Sequence, residues 1–405
     1  MSTEKAGAFS ITARSACGAR CGIVAVCGGS GALATPSCVV PTFRGVVPFL
    51  PPDVVGQVVA PLAGRAGTGP PAALLVQGDA IKVVPAGFDQ GFAAFAALDG
   101  PVMAVVADPA RYNMSGSRSK SSVTVETPAG RTSLDIAGYK ALLAGLKADI
   151  VELLVDVPQP GAGTRRCAKA LDNTTAMWEA LAAADDRSAQ GALVLARVTG
   201  GDAGSVVQQS VALVRKMAGA EVLGGVVGGV VVPDLRSVAA DSVTAEGGYA
   251  SGEAALAAVA AELPDSLLRV YEGVEQPHEI VAAVRDGKGD VFYGTYPTAA
   301  ADLGYALELS LAHGQKQHVN LRDVSFAESQ APLVAGCPCY ACEKHTRGYI
   351  HHLLVVHEMV GTELLMIHNH YVFQAFFADI REAIAAEAAG GAPFADIAAA
   401  FMAAS

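Results

Sequence analysis

Short runs of apolar residues recur along the chain and alternate with stretches of helical periodicity. The runs are rich in Val, Ile and Leu, as expected of strands that are buried on both faces. Eight runs are visible: CGIVAV near 24, AALLVQ near 75, VMAVVA near 104, DIVELLVD at 149–156, ALVLARV at 192–198, VLGGVV near 225, LLRVYEG at 267–273 and DVFYGT at 290–295. Stretches with helical spacing lie between several of them, at 135–147, 168–184, 205–218 and 277–286. This alternation predicts an α/β fold with a parallel sheet covered by helices.

The number of units favours one parallel architecture over another. About eight units in a continuous series are typical of a (β/α)8 TIM barrel, whose eight strands are each followed by a helix. An open, doubly wound sheet remains the alternative, because it is built from the same units.

The composition is apolar, but its pattern does not predict a membrane protein. The chain has 52% hydrophobic and 17% charged residues and a mean hydropathy of +0.37. A spanning helix needs about 20 consecutive apolar residues, and the longest candidate, VLGGVVGGVVV at 222–232, is shorter and rich in Gly. We therefore expect no transmembrane segment. The N-terminus also lacks the apolar core of a secretory signal, which indicates a reducing, cytoplasmic location.

The net charge argues against one class of function. The formal charge is −11 over 405 residues. Proteins that bind nucleic acid mainly through phosphate contacts need clustered Lys and Arg. We expect no DNA partner, and any contact with RNA would depend on a local basic patch.

Cysteine and histidine are concentrated near the C-terminus. Positions 337–370 hold three of the eight cysteines and six of the nine histidines. Cys337, Cys339 and Cys342 lie within six residues, and His368 follows after 25 more. Three Cys and one His form a common structural zinc set that leaves no open position for water. The spacing therefore predicts one structural Zn²⁺ held by these four side chains.

Two other interpretations of the cysteines stay open. Cys339 and Cys342 form a CxxC pair, although no βαβ unit surrounds them as in thioredoxin-like proteins. The thiols could also be unpaired. Of the remaining histidines, His351 and His352 are adjacent on a predicted helix at 346–359, so we expect them to point in different directions.

The C-terminal motif resembles a known family. CxCxxC, then HTRGYIHHL, then LLMIHN is similar to the zinc subdomain of the tRNA-guanine transglycosylase (queuine tRNA-ribosyltransferase) family. Weaker similarities over about residues 12–385 follow the order of that family, whose fold is a TIM barrel with a zinc-binding insertion. In the family, a strand end like that at Asp156 helps to read the base, and a glycine loop like that at Gly224 and Gly225 lines the base pocket. TGG at 199–201 stands where the family usually has QGG.

The resemblance also indicates what this chain has lost. In active members a late barrel strand reads roughly DMFDCVxPTRxAR, and its inner Asp attacks the ribose as a nucleophile. Matching the stretch 290–298 to that pattern places Tyr293 at the nucleophile position and Ala299 at the Arg position. The DSGGFQ segment that supplies a second catalytic Asp is also absent. We therefore expect no catalytic residue of the family type.

These departures imply a non-catalytic member of the family. Such members pair with a catalytic paralogue, and the heterodimer exchanges guanine for queuine at wobble position 34 of GUN-anticodon tRNAs. The expected partners are therefore the catalytic subunit and, through the complex, tRNA. The resemblance also implies the cytoplasm or a peripheral position on the mitochondrial outer membrane. The alternatives are an active transglycosylase that uses Asp108, Asp156 or Asp290, and a zinc-stabilised barrel with an unrelated activity.

Together, the pattern and the resemblance divide the chain into three parts. Residues 1–330 form a barrel body with an N-terminal β-hairpin. Residues 331–385 form the zinc-binding subdomain and a closing helix, and residues 386–405 an Ala-rich tail.

Overall fold

The computed structural model describes residues 8–26, 32–43, 45–59, 62, 65, 73–76, 84, 88–106, 118–127, 130–159, 161–201, 203–235 and 251–404. The strands are β1 (Phe9–Arg14), β2 (Arg20–Ala25), β3 (Ala32–Thr35), β4 (Ser37–Pro41), β5 (Ala73–Val76), β6 (Val102–Val105), β7 (Ser122–Thr127), β8 (Gly130–Asp135), β9 (Ile150–Glu152), β10 (Leu193–Arg197), β11 (Glu221–Val222), β12 (Gly225–Val232), β13 (Leu268–Tyr271), β14 (Val291–Tyr293), β15 (Tyr305–Ser310) and β16 (Gln315–Asn320).

The described helices connect these strands and form the C-terminal part of the chain. They are α1 (Pro52–Val59), α2 (Phe92–Phe95), α3 (Ile136–Leu146), α4 (Thr164–Ala182), α5 (Gly204–Met217), α6 (Gly252–Glu262), α7 (Pro277–Arg285), α8 (Thr295–Leu303), α9 (Tyr340–Lys344), α10 (Arg347–Val355), α11 (Met359–Ala388) and α12 (Phe394–Ala403). None of the helices in the described ranges is both long and apolar enough to cross a membrane.

A closed parallel barrel forms the centre of the molecule. The largest sheet has nine strands, of which β11 pairs antiparallel with β12 and the other eight are parallel. They follow the order β4-β5-β6-β9-β10-β12-β13-β14, and β14 pairs again with β4. The predicted (β/α)8 barrel is therefore confirmed. Apolar side chains fill its interior, including Met103, Ile150, Leu195 and Val270.

The first predicted barrel strand was assigned incorrectly. CGIVAV belongs to β2, which lies in an antiparallel sheet with β1 and β3. The barrel begins instead with SCVVP at β4. The strand β2 is as apolar as the barrel strand β4, because Val24 of β2 and Leu33 of β3 pack against the interior residues of the barrel. Hydrophobicity alone could not tell a strand of the barrel from a strand that covers it.

The predicted helices are confirmed with small changes at their ends. The stretches 135–147, 168–184, 205–218 and 277–286 correspond to α3, α4, α5 and α7. Asp135 accepts a hydrogen bond from the amide of Gly138 at 2.8 Å, which caps the first turn of α3. The predicted helix at 346–359 is shorter and corresponds to α10, where Thr346 caps the first turn.

Two hairpins were not predicted. β7 pairs with β8, and β15 pairs with β16 over the full length of each strand. The hairpin of β15 and β16 gives little strand signal in the sequence, because much of it is exposed and it carries few buried apolar residues.

The long helix α11 joins the barrel to the C-terminal part of the chain. It has 30 residues, and its buried side includes Phe373, Phe376 and Phe377. The Phe376 ring lies 5.3 Å from the Phe401 ring of α12, measured between centroids. Because α11 continues to Ala388, it passes through the predicted domain boundary at 385–386.

Candidate functional site

Four side chains converge on one point beside α11. His368 Nδ1 lies 3.7 Å from the Cys337 sulfur, 3.4 Å from Cys339 and 3.4 Å from Cys342. All four donor atoms lie within 4.8 Å of one another. A tetrahedral Zn²⁺ with ordinary bond lengths would separate sulfur from nitrogen by about 3.6 Å. The predicted ligands therefore form a cluster that can hold a metal ion.

Local structure fixes the orientation of each ligand. Cys339 caps α9, because its sulfur accepts from the amide of Cys342 at 3.4 Å. His368 lies on α11, and its Nε2 donates to the carbonyl oxygen of Leu307 at 2.9 Å. This bond leaves Nδ1 with its lone pair toward the sulfurs, as in most protein sites where histidine binds a metal. The cluster thus links the loop before α9 to α11 and β15.

The electrostatics of the cluster favour a cation. Burial acts to lower the pKa of His368, but hydrogen bonds with Cys337 and Cys342 raise it to about 9. Sulfurs that stabilise a positive charge on the imidazole would also stabilise a metal ion in the same space. The donor set of three thiolates and one imidazole suits a tetrahedral metal such as zinc.

The other histidines of the segment do not join this cluster. His351 is buried and its Nδ1 lies 2.8 Å from the carbonyl oxygen of Leu321, whereas His352 is exposed. The expectation that the two would point in different directions is confirmed. His370 is buried, with Nε2 at 3.2 Å from the Thr298 hydroxyl, and burial lowers its pKa to about 4.

Tyr293 lies at the carboxyl end of β14, inside the barrel. Its side chain is 2% exposed, and its hydroxyl donates to Glu272 at 3.3 Å. Burial, followed by the Glu272 carboxylate, holds the pKa of Tyr293 well above its usual range. The phenol therefore stays protonated and is directed toward a carboxylate within the barrel.

A buried ion network surrounds the Tyr293 hydroxyl. Arg197 donates to both oxygens of Glu272, at 2.7 and 2.6 Å, and its Nε donates to Glu152. The amide of Val106 donates to the second oxygen of Glu152 at 2.6 Å. Burial raises the pKa of Glu152, although Arg197 acts in the opposite direction. These groups come from the carboxyl ends of the barrel strands, where TIM-barrel enzymes carry their active sites.

Asp156 lies in the loop after β9, at the same end of the barrel. Its carboxylate accepts from Arg118 at 2.9 Å, from Arg166 at 2.5 and 3.1 Å, and from Asn173 at 3.0 Å. Burial acts to raise the pKa of Asp156, but the hydrogen bonds from Arg166 and Asn173 outweigh it and lower the pKa. Thr199 of the TGG motif is close, with its hydroxyl 3.5 Å from the carbonyl oxygen of Asp156.

Gly224 and Gly225 lie at the opposite end of the barrel. They form the turn between β11 and the start of β12, and the Gly224 carbonyl accepts from the amide of Gly191, just before β10. The structure therefore separates these glycines from Asp156. Gly229 lies further along β12 and faces the barrel interior. A Cβ at this position would lie 2.4 Å from Cδ2 of Leu195, which is one of the interior residues.

Asp290 also lies at that amino end, just before β14. Its carboxylate accepts from Arg20 at 2.7 and 2.5 Å, and from the amide of Arg269 at 2.8 Å. Both Arg20 and Asp290 are buried, so this pair fastens β2 to the barrel. Asp108, another carboxylate considered from the sequence, lies outside the described residues.

Sequence reasoning missed the ion network of the barrel mouth. Glu152, Arg197 and Glu272 are charged residues that lie inside three of the apolar runs, at 149–156, 192–198 and 267–273. A charged residue inside an apolar run is a detectable signal. The three residues are far apart in the sequence, however, and only closure of the barrel brings them together.

Comparisons with known proteins agree with this architecture. Residues 15–392 match the family model for queuine tRNA-ribosyltransferase. The queuine tRNA-ribosyltransferase accessory subunit 2 of Gallus gallus is 26% identical over 418 residues, covering 91% of this chain and 92% of that protein. The subunit of the same name from Ixodes scapularis is 28% identical, covering 90% and 92%, and that from Homo sapiens is 26% identical, covering 68% and 72%. With a match over nearly its whole length, a barrel of the expected kind and the cysteine and histidine cluster in place, this chain belongs to the queuine tRNA-ribosyltransferase family.

Proposed function

We propose that this chain is the non-catalytic subunit of a heterodimeric queuine tRNA-ribosyltransferase. It would support the exchange of guanine for queuine at position 34 of GUN-anticodon tRNAs, which its catalytic partner carries out. Relatives that bear the accessory-subunit name align over about nine tenths of the chain, which supports this role. Cys337, Cys339 and Cys342 form no disulfide, which suits a reducing compartment such as the cytoplasm.

The state of Tyr293 carries the proposal. Where the family pattern expects a nucleophilic Asp, a protonated phenol donates to Glu272 and is buried. Arg197 occupies both oxygens of that Glu, so the carboxylate is not oriented toward a substrate. A hydroxyl nucleophile needs a base to take its proton, and the carboxylate nearest to the Tyr293 phenol is already held by Arg197 through both oxygens.

An exchange assay tests the proposal directly. The purified chain is incubated with a GUN-anticodon tRNA and labelled queuine or guanine, alone and with a catalytic paralogue. We expect incorporation only with the partner, and Tyr293→Phe should leave the activity of the complex unchanged. Robust incorporation by the chain alone would refute the non-catalytic role.

We propose that the cluster holds a single structural Zn²⁺. Cys337, Cys339, Cys342 and His368 would fill all four positions of a tetrahedral site, which leaves none for a reactive water. Metal analysis should find about one zinc per chain. A chain of full stability in the absence of metal, or one that binds a different ion from a cell extract, would refute this assignment.

The surface beside the cluster suits the proposed partner. Large apolar side chains are exposed around α10 and the start of α11, with Met359 77% and Val355 53% exposed. The others on this surface are Tyr340, Tyr349, Val356 and Val360. Contiguous exposed apolar side chains mark protein interaction sites, so we place the contact with the catalytic subunit here. Met359→Lys should weaken heterodimer formation in analytical ultracentrifugation, whereas Phe95→Lys, at an exposed apolar side chain of α2, should not.

A further inference from the structure

A cluster of cations surrounds Asp156 at the carboxyl end of the barrel. The guanidinium groups of Arg118 and Arg166 approach the same Asp156 oxygen, at 2.9 and 2.5 Å. The Asp156 carboxylate is buried, and the Arg118 side chain bound to it is also nearly buried, at 5% exposure. Arg166 remains 36% exposed.

Three further cations extend this cluster into solvent. Lys120 follows Arg118 by two residues, while Arg165 and Lys169 lie one turn apart at the start of α4. All three side chains are exposed, and none forms an ion pair with a carboxylate within the described ranges. We call these five residues the Asp156 basic patch: Arg118, Lys120, Arg165, Arg166 and Lys169.

The patch is unusual in this chain because the whole molecule carries a formal charge of −11. Among the described residues, the carboxylates beside these five cations are Asp156 and the exposed Asp172 on the next turn of α4. Like charges this close repel one another, and an anionic ligand with repeated charges would relieve the repulsion. Asp156 therefore holds part of this cationic surface in place.

We propose that the Asp156 basic patch binds phosphate groups of the RNA backbone, in the tRNA that the complex modifies. The choice of tRNA rests on the proposed function, whereas the choice of phosphodiester backbone rests on the patch itself. Exposed Ser119, Ser121 and Thr164 stand among the cations, and hydroxyl groups commonly donate to phosphates. A membrane-binding surface would instead place apolar side chains beside the cations, and within α4 and the described stretch 118–127 no large apolar side chain is exposed.

Two variants of equal charge change provide the test. Lys120→Gln/Arg165→Gln/Lys169→Gln removes three charges from the patch without touching the two arginines bound to Asp156. Arg187→Gln/Arg215→Gln/Lys216→Gln is the control. It removes three exposed charges near the amino end of the barrel, where Arg187 lies against Gly224 and the other two end α5.

Binding of a GUN-anticodon tRNA is measured for the chain in complex with its catalytic paralogue, at several KCl concentrations. The dissociation constant of the patch variant should rise on the order of tenfold, and the slope of log affinity against log salt should fall by about 2 to 3. The control variant should stay within about twofold of wild type, since its charges lie away from the RNA. If the triple variant fails to assemble, Lys120→Gln and Lys169→Gln alone should each lower the slope by about 1.

Unchanged tRNA binding, or an equal loss in both triple variants, would overturn the proposal. The same applies if the patch variant loses binding to phosphatidylserine vesicles but keeps its affinity for tRNA. Exchange activity is scored separately. A wild-type complex that binds tRNA through the patch but exchanges no base would contradict the proposed function alone. A patch variant that binds and exchanges like wild type would contradict the patch alone.

Discussion

Replacing Arg197 with Met should destabilise the fold in a way that depends on pH. Arg197 is 1% exposed and is the cation that joins Glu152 to Glu272 in the barrel mouth. Met fills a similar apolar volume but leaves both carboxylates buried without their cation. The Val106 amide and the Tyr293 hydroxyl, which donate to these carboxylates, cannot replace a full positive charge.

The size of the effect follows from the burial of the network. Removing one partner of a buried ion pair typically costs about 3 to 5 kcal/mol. A carboxyl group can escape this penalty by taking up a proton. At pH 7, holding a group with the ordinary glutamate pKa of 4.5 in its protonated form costs about 3.4 kcal/mol, and at pH 5 about 0.7 kcal/mol. We therefore expect a loss of about 3 to 5 kcal/mol at pH 7 and a clearly smaller loss at pH 5.

The direction of the pH dependence can be stated for Glu152. Burial already raises its pKa in the folded chain, and Arg197 is the largest influence that lowers it. Without Arg197 the folded-state pKa rises further above the unfolded value. A carboxyl group with a raised folded-state pKa contributes stability below the unfolded pKa, and this contribution is lost as the pH rises through the folded pKa. The gap between variant and wild type should therefore widen from pH 5 to pH 8.

Urea unfolding of both proteins at pH 5, 7 and 8, with zinc present throughout, measures this gap. Any loss of metal at low pH affects both chains and cancels in the difference. Lys169→Met, an exposed change of the same chemistry, should have little effect. Arg197→Met/Glu272→Met should be more stable than Arg197→Met alone, since it removes one unpaired buried charge. A loss below about 1 kcal/mol at pH 7, or one equal at pH 5 and pH 8, would refute this account of the network.

Three further variants test other parts of the structure. Cys339→Ser should lower the amount of bound metal, measured by mass spectrometry, to a small fraction of wild type. It should also lower the melting temperature, because metal binding and folding of such sites are linked. Retention of one full metal ion per chain would contradict the ligand set. Arg20→Met should lower the free energy of unfolding by about 3 to 5 kcal/mol, because it leaves Asp290 buried without its bidentate partner. A change within about 0.5 kcal/mol would show that the pair does not fasten β2 to the barrel. Gly229→Val should cost about 1 to 3 kcal/mol through overpacking against Leu195, and a neutral result would mean that the interior can rearrange there.

Periodicity predicted the parallel strands and the positions of the main helices, and the number of units favoured the barrel over an open sheet. Seven of the eight predicted runs correspond to barrel strands, and the match works because a strand buried on both faces requires a continuous apolar run. The exception, CGIVAV, shows the limit of that signal. A strand that covers the end of the barrel is as apolar as a strand within it, and only the pairing partners distinguish the two.

The metal cluster was predicted better than the barrel mouth for a related reason. Three of its four ligands lie within six residues, so their spacing alone restricts the geometry. The network of Glu152, Arg197 and Glu272 joins residues that are 45 and 75 positions apart. Their contact depends on barrel closure and on the register of each strand, neither of which a local pattern contains. Gly224 and Gly225 were interpreted from a motif without that register, and the structure places them at the other end of β12 from the barrel mouth.

The barrel mouth and the outer surfaces point to different uses of the same fold. A TIM-barrel enzyme needs polar groups at the carboxyl ends of its strands that remain free to meet a substrate. Here Glu152 and Glu272 are bound to Arg197, and the Tyr293 hydroxyl is bound to Glu272. A substrate that reached them would have to break a buried ion network, at a cost of several kcal/mol. The cysteine and histidine cluster, by contrast, lies beside an exposed apolar surface, and Asp156 holds cations at the rim. The groups at the centre of the barrel bind one another, and the groups that are free lie at the surface. This arrangement suits a subunit that positions a macromolecule while its partner carries out the chemistry.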